Sequence, residues 1–176
     1  MRLTRRELIL GVGATLGLDP PGGLRSPGGP AVLSGSQVEN LVRFAEVLVG
    51  DSPLSRVERD DLVDHIERRT KQGGGYYLEL YRKTARLLDR LARARFSSLG
   101  FTQRVALITR HRIFSSDVRP GENLGAFPDD TREVRTRAVP DLIGGYYASP
   151  AGWAVVGYSA FPGRCGDLAR YTSPER

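Results

Sequence analysis

Apolar positions recur every three or four residues through most of the chain, and no run alternates long enough to read as a strand. That period belongs to helices with one buried face. Val38, Leu41, Val42, Ala45, Leu48 and Val49 make the first such series. Ser36-Gln37-Val38-Glu39 reads as the capping box that opens it, and Gly50-Asp51-Ser52-Pro53 ends it. A second capping box, Ser55-Arg56-Val57-Glu58, opens a helix that runs to about Thr70 with Leu62, Val63 and Ile66 facing inward. After the break at Gly73-Gly74-Gly75, the series Tyr77, Leu80, Tyr81, Thr84, Leu87, Leu88 and Leu91 predicts a third helix to about Ala94. Thr102 is placed to cap a fourth helix reaching about Phe114. Ser115 to Asp130 reads as loop, and Thr131 to Gly145 as helix, with Pro140 breaking or kinking it. The fold class expected is all-α, an irregular bundle of about four to six helices.

The first 35 residues follow other rules. Residues 1–18, MRLTRRELILGVGATLGL, place Arg2, Arg5 and Arg6 before an eleven-residue apolar run, Leu8 to Leu18. Such a run is short for a transmembrane helix and suits a signal peptide. Thr4-Arg5-Arg6-Glu7-Leu8-Ile9-Leu10 matches the twin-arginine pattern, which implies export of an already folded protein through the twin-arginine translocon. The expected location is therefore the periplasm or the outer face of the cytoplasmic membrane. Export-signal residues are Arg5, Arg6, Leu8 and Ile9. Gly11-Val12-Gly13-Ala14-Thr15-Leu16-Gly17 imitates a dinucleotide-binding glycine loop, but its spacing differs and a Pro/Gly tract follows in place of a β-α-β unit. Residues 19–35 are expected to be a linker, and residues 36–176 a single helical domain.

Charge changes the picture only slightly. The net charge is +6, yet Lys71 and Lys83 are the only lysines among 26 basic residues, and the arginines alternate with acids. A nucleic-acid partner is not expected, because its footprint would be a concentrated basic stripe. Arg82, Lys83, Arg86, Arg90 and Arg93 do line the outer face of the third helix, which reads first as a solvated face and second as a lipid or partner contact. A single cysteine, Cys165, excludes an internal disulfide and a Cys-rich zinc site.

Candidate chemistry is thin. Asp60, Asp61, Asp64 and His65 cluster on the second helix, and the one-turn spacing of Asp61 and His65 suits two metal ligands. His111 lies between Arg110 and Arg112, whose charges disfavour the imidazolium and leave a possible base. Gly157-Tyr158-Ser159-Ala160-Phe161 begins like a nucleophile elbow but lacks its last glycine. None of these makes a convincing catalytic set, so no catalytic, cofactor-binding or metal residues are assigned.

The C-terminal stretch Gly144 to Phe161, GGYYASPAGWAVVGYSAF, concentrates the only tryptophan and three of the seven tyrosines among glycines and Pro150. It cannot be one plain amphipathic helix. Gly145-Tyr146-Tyr147-Ala148-Ser149-Pro150, then Gly152-Trp153, then Gly157-Tyr158 with Pro162-Gly163, resembles the gluconate 2-dehydrogenase subunit 3 family. The segment from Phe96 and Leu99 to Arg104, ahead of Val105-Ala106-Leu107, is similar to that family's mid-chain pattern. The resemblance implies a small, non-catalytic accessory subunit of an FAD-dependent glucose–methanol–choline-type oxidoreductase. Flavin would belong to the large subunit and haem to a separate cytochrome c subunit, so this chain would carry no cofactor. It also implies partner-binding or packing roles for Tyr146, Tyr147, Trp153 and Tyr158. A second class open to the same residues is a stand-alone exported module binding lipid or a small molecule at the cell envelope, through the arginine face and the C-terminal rings. An enzyme using His65 or His111 ranks third.

Overall fold

One helix is enclosed by the others. In the computed structural model, which describes residues 32–50, 52–114 and 126–156, helix α1 (Gly35–Val49) touches α2 (Arg56–Thr70), α3 (Tyr76–Ala92), α4 (Phe101–Arg110) and α6 (Val139–Tyr147). Leu41, Val42, Phe44, Ala45, Leu48 and Val49 of α1 are all buried. The ring of Phe44 meets Phe96 edge to face at 6.5 Å, in the short turn Phe96–Ser98 between α3 and α4. The core continues through Leu62 and Ile66 of α2, Leu80, Tyr81, Leu87 and Leu88 of α3, Ile108 of α4, and Leu142, Ile143 and Tyr146 of α6. No strand occurs among the described residues, so the fold is the expected all-α bundle.

The start of α1 differs from the sequence expectation. The capping residue is Ser34, whose extended backbone lets its hydroxyl accept the Gln37 N–H while the Gln37 side chain accepts the Ser34 N–H at 2.9 Å. Ser36 lies inside the first turn, and its hydroxyl meets that of Ser34. Glu39 is thereby free to pair with Arg43 and Arg59 instead of closing a box. The second box, Ser55 with Glu58, forms as expected and α2 ends at Thr70. Gly73, Gly74 and Gly75 all take positive φ and turn the chain into α3, a geometry that side-chained residues rarely adopt.

Helix α4 is capped at Gly100, two residues before the expected Thr102, which lies inside its first turn. Gln103 accepts the Gly100 N–H at 2.9 Å and fixes the entry. The helix stops at Arg110 rather than Phe114, because Arg112 turns left-handed at φ 49, and Arg135 donates two hydrogen bonds to its carbonyl. Helix α5 (Pro128–Glu133) begins inside the span expected to be loop. The chain stays helical from there to Tyr147, passing through a wider π-turn at Val134–Ala138 and into α6. Pro140 explains the widening. It has no N–H for the Thr136 carbonyl, and its ring would collide with that carbonyl in a regular α-turn. The Val139 N–H reaches back five residues to Val134 O instead. Proline is thus absorbed without breaking the helix. After Ala148 and Ser149, Pro150 starts helix α7 (Pro150–Val156), so the described part of the C-terminal stretch, residues 144–156, falls in two helices, as Pro150 and the glycines required. With Pro128–Tyr147 taken as one rod, the described residues form six helices. None is long and apolar enough to cross a membrane.

Candidate functional site

Burying one helix all round brings its polar residues inside with it. Glu46 of α1 is fully buried and accepts from Arg43 at 2.7 Å, from Arg59 of α2 at 3.2 Å and from Arg104 of α4 at 2.8 Å. Arg104 also donates to the Arg43 carbonyl, while its Nε is buried without a hydrogen-bond partner. Nearly two turns earlier, Asn40 donates to Asp89 at 2.8 Å and accepts the Ser97 N–H, and Asp89 accepts the Phe96 N–H. A desolvated carboxylate is tolerable only when its oxygens are filled by such donors. These two clusters tie α1 to α2, α3 and α4.

The most concentrated polar group lies where α2, α3 and α6 meet. Asp141 follows Pro140 in the first turn of α6 and is nearly buried, with 11% of its side chain exposed. Its Oδ1 accepts from Arg69 Nε at 2.8 Å and Nη2 at 2.5 Å. Oδ2 accepts the phenol of Tyr81 and lies 3.3 Å from His65 Nε2. With Asp141 ionised, that imidazole nitrogen is the donor. The Arg69 guanidinium is itself seated 3.6 Å above the Tyr77 ring. Burial opposes ionisation of Asp141, but hydrogen bonds from His65, Arg69 and Tyr81 outweigh it and hold the carboxyl below its usual pKa. Burial together with the Asp141 charge pushes the Tyr81 phenol well above its ordinary pKa, so it stays a donor. The chemistry this permits is charge-locking of three helices. Both carboxylate oxygens are occupied by protein donors.

His65 and Asp61, spaced in the sequence as two metal ligands, are each engaged by a different helix. His65 faces Asp141, whereas Asp61 Oδ2 accepts the Ala151 N–H of α7 at 3.3 Å. Among the described residues no three His, Cys, Asp or Glu side chains are placed to hold a metal. His111 closes α4; partial burial, then the Arg110 charge, lowers its pKa, the direction its flanking cations implied. The arginine face of α3 is largely neutralised from within. Arg82 is not on the outer face as expected but buried, where it pairs with Glu79 at 2.6 Å; Lys83 pairs with Glu133 at 2.5 Å, and Arg90 with Asp130. Arg90 also lies over the Phe127 ring at 4.2 Å.

The C-terminal rings divide. Tyr146 is buried, with its hydroxyl donating to Glu58 of α2 at 2.5 Å. Tyr147 is half-buried and meets Tyr146 edge to face at 5.0 Å. Trp153 is half-buried on α7, its backbone N–H bonded to Ser149 O. Tyr158, Cys165 and the expected export-signal residues Arg5, Arg6, Leu8 and Ile9 lie outside the described residues. Sequence reasoning passed over Asp141, Tyr81 and Arg69 as a set. The available signal was a lone carboxylate, Asp141, inside the apolar run Val139 to Ile143, where an acid needs a buried partner. Compared with family models, curated proteins and solved structures, the chain matched none.

Proposed function

We propose that this chain is a non-catalytic accessory subunit that binds a folded FAD-dependent oxidoreductase of the glucose–methanol–choline type and supports its twin-arginine export. The observation that carries the reading is the twin-arginine pattern at Arg5-Arg6 in a sequence that also has a helical bundle and, toward its C-terminus, the Tyr146-Tyr147, Gly152-Trp153, Gly157-Tyr158 run. The same resemblance assigns FAD to the large subunit and haem to a separate cytochrome c subunit.

Two structural features support a scaffold over the other classes. Asp141 and His65, the most enzyme-like pair, use their facing atoms to join α2 to α6. On α3, Arg82 is buried against Glu79, and Lys83 and Arg90 are matched by acids of the same chain, which leaves less positive charge for an anionic lipid surface. Export of a folded complex also suits a bundle whose helices are linked by buried ion pairs.

The test is co-expression with a flavoprotein of that class from the same genome, followed by assay of FAD-bound enzyme in the exported fraction. Export is expected only with this chain present, and Arg5→Lys/Arg6→Lys abolishes it. Equal export of the flavoprotein without this chain sinks the proposal.

A further inference from the structure

Helix α7 reads Pro-Ala-Gly-Trp-Ala-Val-Val and carries no charged side chain on any side. A helix that is apolar all round is ordinarily buried. Here only Gly152 is buried; Pro150 and Ala154 are exposed, and Trp153, Val155 and Val156 are half-buried. The helix is nonetheless held firmly. A Cβ on Gly152 would fall 2.1 Å from the Tyr146 carbonyl oxygen, the Gly152 N–H donates to Ser149 Oγ at 3.0 Å, and Asp61 accepts the Ala151 N–H.

The neighbouring face of α2 continues this surface. Val57, Asp60, Asp61 and Asp64 stand at positions i, i+3, i+4 and i+7 and share a face. Asp61 is hydrogen-bonded to α7, and Val57, one turn before it, is 63% exposed. Asp60 reaches Arg56 only at 3.7 Å, and both Asp60 and Asp64 are exposed. On a chain of net charge +6, this corner sets the apolar surface of α7 and Val57 among three acids and one base, Arg56, so its own charge is net negative.

We infer that the corner of α7 and the first half of α2 is a docking surface for a protein that presents an apolar projection ringed by arginine or lysine. An apolar centre with a charged rim is the arrangement protein interfaces use, and a pre-positioned aromatic helix lowers the ordering cost of binding. The corner's net negative charge repels phosphate, which turns the face away from nucleic acid and anionic lipid. This inference rests on the accessory-subunit reading, with the flavoprotein as the partner.

The experiment measures binding of the full purified chain to that flavoprotein by biolayer interferometry at low and high salt. Val57→Asp and the pair Asp60→Arg/Asp64→Arg change exposed side chains, so retention of the fold is checkable by thermal melting. Each is expected to weaken binding at least ~10-fold, and added salt to weaken the wild type, while Arg86→Glu on α3 stays within ~2-fold. If the wild type binds and these variants bind equally well, the corner is not the interface, although the accessory-subunit reading stands. If the wild type does not bind the flavoprotein, that reading falls and this one with it. Sedimentation of the chain alone provides a further check. A dimer that Val57→Asp dissolves would give the corner to a second copy and overturn the inference.

Discussion

The imidazole of His65 occupies the space a side chain at Gly145 would need: a Cβ there would lie 2.4 Å from the ring. Gly145 is buried in α6, one turn after Asp141, the carboxylate that His65 faces. The close approach of α2 to α6 and the charged cluster between them therefore depend on each other. Gly145→Ala must push the ring off Asp141 or push the helices apart. Its neighbour Gly144 is exposed, with open space around the same position. We expect Gly144→Ala to stabilise the domain by about 0.5–1 kcal/mol through helix propensity, and Gly145→Ala to destabilise it by about 1–3 kcal/mol through overpacking. Urea unfolding of the two variants reads the opposite signs; equal signs would show that His65 is not wedged there.

Asp141 should make stability depend on acid. Its folded pKa is depressed below the usual aspartate value of about 3.9. A depressed carboxyl contributes stability that is present above the unfolded pKa and is lost as pH falls through the folded one. The melting temperature of the wild type is therefore expected to fall below about pH 4–5, and Asp141→Asn to flatten that part of the curve while lowering stability at pH 7. A variant with the wild-type slope between pH 6 and 3 would remove Asp141 from the account.

Tyr146→Phe removes one buried donor from Glu58 and leaves the ring's packing intact. A hydrogen bond to an ionised group is worth about 1.5–3 kcal/mol, so a loss of about 2 kcal/mol is expected in chemical denaturation. Tyr147→Phe changes a half-buried ring and should cost less.

Glu46, which has no exposed surface, stands among three arginines of which Arg104 is buried and Arg43 and Arg59 are partly exposed, so the two ways of breaking that cluster differ. Glu46→Leu leaves Arg104 buried without a counter-charge and should cost about 3–5 kcal/mol. Arg104→Met leaves Glu46 still held by Arg43 and Arg59, and also removes a buried Nε that has no partner, so it should cost clearly less. Equal losses in a urea titration would show that the cluster does not act as a charge balance.

Sequence periodicity alone determined that this is a helical bundle. Leu62, Ile66, Leu80, Leu87 and Leu88 repeat at helical spacing, and all five are buried. Local chemistry also set the Ser55–Glu58 box and the break at Pro150, because caps and proline act within a few residues. Longer-range facts were not available to it. His65 found Asp141, 76 positions away, rather than Asp61 one turn away, because packing α2 against α6 turned that face inward. Glu46 gathered Arg59 and Arg104 only because α1 is enclosed on several sides, which no window of sequence records. Spacing gives each helix a face, and the packing of the other helices decides which polar groups are left without water and must find one another.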